Sequence, residues 1–219
     1  MSTLASHLEA LTSSVRAQAP APVLATIDDA IRRLTDSGVT DAVLRVGQAP
    51  PAFALPDATG RSVESKALLA RGPLVISFYR GAWCPYCNLE LQAWQRHLPE
   101  LQTLGATLVA ISPQTPDASL TLAEKHALAY PVLSDVGNRV ARQFGIVFTL
   151  DASLRQVHET FGIDLSAHNG DSSFELPVPA TFLVEGDGKI GGSWVAFDWR
   201  IRPEPSSVLA RLRERLAQA

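Results

Sequence analysis

The sequence predicts an α/β fold in which a central mixed sheet is flanked by helices and preceded by an N-terminal helical extension. Continuous apolar runs at 73–79, 106–112 and 180–184 are typical of buried strands. Segments whose apolar residues follow helical spacing alternate with these runs, as in folds with parallel strand pairing. A turn at Asp187-Gly188 then predicts a late hairpin, which adds antiparallel pairing to the sheet.

The composition is that of a globular protein with a buried core. The chain has 219 residues, of which 46% are hydrophobic and 19% charged, and this length suits one domain with extensions. A net charge of −3 gives no electrostatic footprint for nucleic acid or an anionic membrane. No apolar run approaches the ~20 residues that span a bilayer, and the N-terminus lacks a signal-peptide pattern. We therefore expect a cytoplasmic location, where thiols are kept reduced.

Two amphipathic helices are predicted in the N-terminal extension, residues 1–38. Apolar residues recur at helical spacing in two sets separated by prolines: Leu4, Leu8, Leu11, Val15, and then Leu24, Ile27, Ile31, Leu34. The second helix should close near Gly38, and residues 39–219 form the main domain. The extension either packs against the core or forms a dimer contact.

The remaining elements follow from turn and helix signals along the main domain. Residues 57–60 predict a hairpin turn, and residues 150–176 are expected to be irregular, as a functional lid or surface loop. A strand is predicted at 130–133. Helices are predicted at 84–104, 117–129, 138–144 and 204–217.

The chain has two cysteines, Cys84 and Cys87, and this spacing in a reducing compartment indicates redox or metal chemistry. Zinc needs two further ligands, and the five histidines are scattered, so neither a metal nor another cofactor is expected. Cys84 should lie at a helix N-terminus, where unpaired N–H groups favour the thiolate. Pro85 suits the first helical position, and Arg80 could add positive charge. Two buried, inert cysteines remain the alternative.

Several neighbours of this pair could assist or simply pack. Trp83 could shield the cysteine and contact a partner, and Tyr86 is expected to be half exposed and to touch a thiol substrate. Glu90 could relay a proton, although a solvated helix face is the favoured interpretation. Three C-terminal aromatic residues form either a surface patch or part of the core: Trp194, Phe197, Trp199.

Four segments resemble the alkyl hydroperoxide reductase/thiol-specific antioxidant family, the peroxiredoxins. The resemblance covers roughly residues 44–200, and the segment around the cysteines is its most specific part. The segments are VGQAPPAFALP at 46–56, FYRGAWCPYC at 78–87, VAIS at 109–112 and PVLSD at 131–135.

This resemblance implies a thioredoxin-like fold and a thiol-dependent peroxidase. Cys84 would attack the peroxide as the peroxidatic cysteine and form a sulfenic acid, which Cys87 would resolve as a disulfide. Thioredoxin, or glutaredoxin with glutathione, would then act as reductant, and a homodimer is possible because the family often forms one.

Two departures from the family pattern concern the groups that bind peroxide. The family carries a proline and a hydroxyl residue before the nucleophile, where this chain has Ser77 and Gly81. The family's late arginine is replaced by a Pro-Val-Pro-Ala-Thr stretch that resembles a cis-proline loop, with Pro179 as the cis residue and Thr181 in the substrate site. Arg80, the N–H groups of residues 81–84 and Arg142 are then the candidates to hold the peroxide, although an exposed helix charge is the favoured interpretation of Arg142.

Three hypotheses of function stay open on the sequence. A thiol peroxidase acting on hydrogen peroxide or organic hydroperoxides is favoured. A disulfide oxidoreductase is the second, because Cys-Pro-Tyr-Cys is also the glutaredoxin tetrapeptide. A non-enzymatic redox sensor is the third.

Overall fold

The computed structural model describes residues 3–37 and 42–218, without the side chains of residues 117 and 120. Its strands are β1 (Ala54–Pro56), β2 (Ser62–Glu64), β3 (Leu74–Phe78), β4 (Thr107–Ser112), β5 (Val132–Ser134), β6 (Val147–Thr149), β7 (Glu175–Pro177), β8 (Ala180–Val184) and β9 (Ile190–Val195). Its helices are α1 (Leu4–Gln18), α2 (Ala21–Asp36), α3 (Ser65–Leu69), α4 (Pro85–Thr103), α5 (Pro116–Lys125), α6 (Arg139–Gln143), α7 (Ala152–Thr160), α8 (Leu165–Asn169) and α9 (Pro205–Leu216).

The central sheet has five strands in the order β5-β4-β3-β8-β9. The β3–β4 and β4–β5 pairs are parallel, whereas β3–β8 and β8–β9 are antiparallel. The sheet is therefore mixed, as predicted, and its antiparallel half begins at the centre rather than at the late hairpin alone. In the register of the sheet, Ser77 of β3 lies between Ala110 of β4 and Thr181 of β8.

Strand β3 is wholly buried because helices cover both faces of the sheet. Val75 and Tyr79 belong to the core cluster that includes α4 and α9. Ile76 and Phe78 belong to the cluster on the opposite face, beside α2, α6 and α7. The strand therefore delivers the chain to the start of α4 from the middle of the molecule.

The N-terminal helices pack on opposite sides of the core. Helix α1 lies along α4, and α2 lies against α7. The Glu204 carboxylate accepts hydrogen bonds from the backbone N–H groups of Leu4 (3.2 Å) and Ala5 (2.7 Å), so it satisfies free donors at the start of α1. The predicted end of the second helix at Gly38, and the division between residues 1–38 and 39–219, lie outside the described residues.

The prediction that residues 150–176 are irregular is wrong. This stretch contains α7 and α8, and β6 pairs with β7 across it. Asp151 accepts a hydrogen bond from the Leu154 N–H (2.9 Å), and Asp164 accepts one from the Ala167 N–H (2.9 Å), so each aspartate caps a helix. These helices have nine and five residues, which is shorter than the window of about 11–18 residues over which apolar spacing identifies a helix. Across the described part of the chain, the helices are too short or too polar to span a membrane.

Candidate active site

The site forms where β3 passes through a short loop into α4. Cys84 is the N-cap residue of α4, and Pro85 occupies the first helical position, where its missing N–H costs nothing. Gly81 has a φ of +154°, and a Cβ atom there would collide with the Trp83 indole. The loop therefore needs glycine at the position where the family that the sequence resembles carries a hydroxyl residue.

The Cys84 thiol is fully buried and faces three donors, one of which is the Cys87 thiol. Its Sγ accepts hydrogen bonds from Arg80 Nη2 (3.2 Å) and from the Cys87 backbone N–H (3.4 Å). Burial opposes ionisation, but the hydrogen bond from Cys87 and the charges of Arg80 and Arg202 outweigh it and hold the pKa of Cys84 well below its usual range. Cys84 is therefore the thiol that carries the negative charge.

The Cys87 thiol lies one helical turn further on, and its Sγ is 2.9 Å from that of Cys84. Both cysteines are free. Burial, the hydrogen bond to Cys84 and the charge of the Cys84 thiolate raise the pKa of Cys87 well above its usual range. The pair thus combines one thiolate with one protonated thiol in contact with it.

Arg80 is buried between two indole rings. Its guanidinium carbon lies 5.2 Å from the Trp83 ring centroid and 4.8 Å from that of Trp199. Trp83 in turn meets His158 edge to face at 5.1 Å. Burial and the nearby Arg80 charge lower the pKa of His158 to about 4, so this imidazole is neutral at physiological pH. The aromatic residues hold Arg80 against the Cys84 sulfur.

The backbone of the loop is largely committed to internal hydrogen bonds. The Ala82 N–H donates to Gln114 Oε1 (2.5 Å), and the Cys84 N–H donates to the Gly81 carbonyl (3.1 Å). The Asn88 side chain donates to the Ala82 carbonyl (2.9 Å). The N–H groups of Ala82 and Cys84 therefore already have acceptors, so the expectation that they hold a peroxide is wrong for these two residues. Arg80 and the Cys87 N–H are donors beside the Cys84 sulfur.

Two buried charged residues beside the cysteines differ from what the sequence suggested. Glu90 lies on the buried face of α4 and is 0% exposed, so the predicted solvated helix face is wrong. It pairs with Arg202, whose Nε lies 2.5 Å from Glu90 Oε2 and whose Nη2 lies 3.3 Å from Cys87 Sγ. Arg202 precedes a proline in a segment without regular secondary structure, and no local sequence pattern distinguishes it from a surface arginine.

The predicted cis-proline loop is wrong. Across residues 3–37 and 42–218 every peptide bond is trans, including the one before Pro179. Pro179 is buried, and its carbonyl accepts a hydrogen bond from the Ala196 N–H (3.1 Å). Thr181 is buried opposite Ser77, and its hydroxyl has no hydrogen-bond partner within the described residues. Pro179 therefore lies in a buried stretch just before β8, with a trans peptide bond, and Thr181 lies within β8.

Of the remaining candidate residues, some lie where the sequence suggested and others do not. Tyr86 is 7% exposed rather than half exposed, and its hydroxyl accepts a hydrogen bond from Thr12 at 3.4 Å. Arg142 is exposed and paired with Glu175 at 2.5 Å, which agrees with its interpretation as a surface charge. Trp199 is buried beside Arg80, whereas Trp194 and Phe197 are partly buried against the core.

A cavity of about 340 Å³ adjoins the site. Arg80 lines it and also contacts the Cys84 sulfur, so this side chain joins the cavity to the reactive thiol. The other walls are largely apolar and come from the N-terminal helices, the Cys84 loop and helix α7. They include Val15, Leu24, Ile27, Trp83, Tyr86 and Val157.

Comparisons with known proteins agree with this geometry. A family model described as the AhpC/TSA family matches residues 46–192. Chloroplastic peroxiredoxin Q of Populus jackii is 30% identical over 113 residues, covering 52% of this chain and 53% of that protein. The Triticum aestivum protein of the same name is 28% identical over 137 residues, covering 63% of each chain. The match therefore spans between 53% and 63% of the length of these plant relatives.

A solved structure extends the comparison to three dimensions. The crystal structure of peroxidoxin BcpB from Mycobacterium tuberculosis is 26% identical and superposes with a TM-score of 0.62. The superposition covers 78% of this chain and 97% of that chain. The two proteins therefore share a fold over nearly the whole of the mycobacterial chain.

Proposed function

We propose that this chain, which belongs to the AhpC/TSA family, is a thiol-dependent peroxidase that reduces hydrogen peroxide or organic hydroperoxides. One arrangement carries the proposal: Cys84 Sγ lies at the start of α4, 3.2 Å from Arg80 and 2.9 Å from the Cys87 sulfur. It combines a stabilised thiolate, a cationic donor for the peroxide and a second thiol within reach. Cys84 and Arg80 act on the peroxide, and Cys87 completes the oxidation.

The first step oxidises Cys84 and reduces the peroxide. The Cys84 thiolate attacks the terminal peroxide oxygen, so an S–O bond forms and the O–O bond breaks. The leaving alkoxide or hydroxide takes up a proton and departs as alcohol or water. Arg80 stabilises the negative charge that develops on the departing oxygen, because its guanidinium is already held in place between Trp83 and Trp199.

The second and third steps restore the thiols. Cys87 attacks the sulfur of the Cys84 sulfenic acid, which forms the disulfide and releases water. An external dithiol, either thioredoxin or glutaredoxin with glutathione, then reduces the disulfide by thiol–disulfide exchange and becomes oxidised itself. Trp83 and Tyr86 flank the cysteines and are the side chains we assign to contact with substrate.

The cavity supports the organic hydroperoxides as substrates. An organic group placed among Leu24, Ile27 and Val157 would leave its peroxide end toward Arg80, which lies between the cavity and Cys84. Apolar contact with these walls would favour such a substrate over hydrogen peroxide, which gains nothing from them.

The test is a stopped-flow reaction of the fully reduced protein with hydrogen peroxide and with cumene hydroperoxide, followed by tryptophan fluorescence. We expect a fast change whose rate is first order in peroxide and which is absent in Cys84→Ser. A rate no faster than that of free cysteine would contradict the proposal.

A disulfide oxidoreductase is the second candidate, and the Cys-Pro-Tyr-Cys tetrapeptide favours it. It predicts that the protein, supplied with glutathione or dithiothreitol, reduces a model disulfide substrate catalytically. Disulfide turnover without a fast peroxide step would select this function over the peroxidase.

Three further features belong to the same proposal: a cytoplasmic location, a homodimer, and residues 1–38 acting as a helical extension of the main domain, residues 39–219. Light scattering of the reduced protein tests the dimer, and subcellular fractionation tests the location. Limited proteolysis tests the domain division, since an extension that packs on the core should resist cleavage between its helices.

A further inference from the structure

We propose that Arg202 is a second catalytic arginine, one that serves the resolving thiol: it stabilises the Cys87 thiolate as that sulfur attacks the oxidised Cys84. Glu90 is a positioning residue that acts through Arg202. The assignment rests on the proposed roles of Cys84 and Cys87 and extends them to a residue outside the segment matched by the family model, which ends at residue 192.

Hydrogen bonds to oxygen hold Nε and Nη1 of the Arg202 guanidinium in place, and Nη2 faces the Cys87 sulfur. Its Nε donates to Glu90 Oε2 at 2.5 Å, and its Nη1 donates to the carbonyls of Trp199 (2.6 Å) and Ile201 (2.7 Å). Its Nη2 lies 3.3 Å from Cys87 Sγ. A planar guanidinium with its other donors occupied has little freedom to turn away from this sulfur.

Burial makes a purely structural role a poor explanation of this ion pair. The side chains of Arg202 and Glu90 are 1% and 0% exposed. Removing two charges from water costs several kcal/mol for each ion, and apolar residues of similar volume are often at least as stable. A charge kept in the core against one face of a reactive thiol is instead consistent with chemistry at that thiol.

The segment that carries Arg202 is held in place from both sides. Trp199 stacks on Arg80, and two residues after Arg202 the Glu204 carboxylate binds the N-terminus of α1. Helix α1 also lies along α4, which carries Cys87. The N-terminal extension therefore helps to hold Arg202 over the resolving cysteine.

The charge balance explains why the two thiols act in sequence. In the reduced protein the Cys84 thiolate, together with burial, raises the pKa of Cys87. Once Cys84 is a neutral sulfenic acid, that negative charge is gone while the Arg202 charge remains. Cys87 then ionises more easily, its thiolate forms the S–S bond, the S–O bond breaks, and the released hydroxide combines with the Cys87 proton to give water.

Glu90 faces ionisable or polar groups from four parts of the chain: Arg202 from the C-terminal segment, Cys87 from its own helix, Ser77 from β3 and Tyr130 from the turn before β5. Burial raises the pKa of Glu90 to about 7, with Cys87 also raising it and Arg202 opposing. The charge of Glu90, which balances that of Arg202, therefore changes near neutral pH. The rate at which Cys87 attacks the Cys84 sulfur should change with it.

The experiment measures attack by Cys87 without peroxide. Reduced protein is mixed with an aromatic disulfide whose released thiolate absorbs visible light. Cys84 attacks first, releasing one aromatic thiolate and forming a mixed disulfide. Cys87 then attacks the Cys84 sulfur of that mixed disulfide, which releases the second aromatic thiolate and forms the Cys84–Cys87 disulfide.

We expect Arg202→Met to slow the second release more than the first, by about tenfold or more, as loss of a charge-stabilising donor does elsewhere. Arg202→Lys, which retains the charge, should recover part of the lost rate. Glu90→Gln should flatten the pH dependence of the second release around neutrality. Arg215→Lys is the matched control, because Arg215 also pairs with a glutamate, Glu185, far along α9 from the thiols.

Equal rates for the Met and Lys variants would overturn the proposal, since methionine and lysine then serve equally as packing groups. The proposal would also be overturned if neither variant changed the rate of the second thiolate release, or if the substitutions slowed the first and second releases equally. Should neither Arg202 variant fold, the pH profile of Glu90→Gln decides, and an unaltered profile counts against the proposal. A wild-type protein that lacks the fast peroxide step would contradict the peroxidase and leave this readout intact.

Discussion

The two cysteines are one helical turn apart and equally buried, yet their surroundings differ in one respect that sets their chemistry. Each sulfur faces one guanidinium, Arg80 for Cys84 and Arg202 for Cys87. Arg202 is paired with Glu90, whereas within the described residues no carboxylate lies within ion-pair distance of Arg80. The unbalanced charge lies beside the cysteine at the helix N-terminus, where the helix dipole acts in the same direction.

This difference indicates that the two sulfurs of a C-x-x-C pair need different electrostatic environments. A single positive field over both sulfurs would favour two thiolates that repel each other. Here the field ionises Cys84 first, and that charge keeps Cys87 protonated until Cys84 has reacted. The following predictions test each side of this asymmetry.

The largest expected effect comes from exchanging the cysteines for serine separately. Cys84→Ser should lower peroxidase activity by about 10³-fold or more, because the nucleophile is lost. Cys87→Ser should retain the first oxidation but accumulate Cys84 sulfenic acid, which dimedone labels and mass spectrometry detects. Accumulation of sulfenic acid on Cys87 in Cys84→Ser, at the wild-type rate, would reverse the assignment.

Removing the charge beside Cys84 should have the next largest effect. Arg80→Gln should slow peroxide reduction by about 10²-fold, since one charged donor near the departing oxygen is lost. The same substitution should raise the pKa of Cys84, because a cation that favours the thiolate is gone. Iodoacetamide alkylation measured against pH gives that pKa, and Arg142→Gln is the surface control. A pKa equal to that of wild type would refute the role of Arg80.

Glu90 makes the stability of the protein depend on pH in an unusual direction. Its pKa is raised from 4.5 to about 7 in the folded state, so the folded state favours the protonated acid. This contribution is fully present below pH 4.5 and is lost as the pH rises through 7. We expect the free energy of unfolding to fall by on the order of 3 kcal/mol over this interval relative to Glu90→Gln, which does not titrate. Urea denaturation of both proteins at several pH values measures it, and parallel curves would contradict it.

The smallest effect is expected at the cavity wall. Leu24→Trp should fill part of the cavity and lower kcat/KM for cumene hydroperoxide several-fold relative to hydrogen peroxide, because a side chain replaces the space for the organic group. Val23→Trp on the same helix is the control, since Val23 does not line the cavity. A ratio of the two substrates that changes equally in both variants would remove the cavity from substrate recognition.

Much of this asymmetry could be predicted from local sequence. The buried run at 73–79 ends five residues before Cys84, and Pro85 fixes the start of the helix. Arg80 and Cys84 therefore had to lie at the same junction. The prediction for residues 150–176 failed because α7 and α8 have only nine and five residues, too few for apolar spacing to identify them, although each begins at a capping aspartate. The sequence predicts a solvated position for Glu90, because helical spacing alone does not show whether another helix or segment covers a given helix face.

The sequence by itself determined the α/β alternation, the position of Cys84 at the start of α4 and the one-turn spacing of Cys87, because each depends on residues adjacent in the chain. Tertiary structure alone decided that Arg202, 115 residues from Cys87, reaches that sulfur, and that Glu90 is buried to pair with it. It also decided that N-terminal helices wall the cavity beside Arg80. Such contacts depend on how helices and the C-terminal segment pack across the sheet, and no local periodicity carries that information.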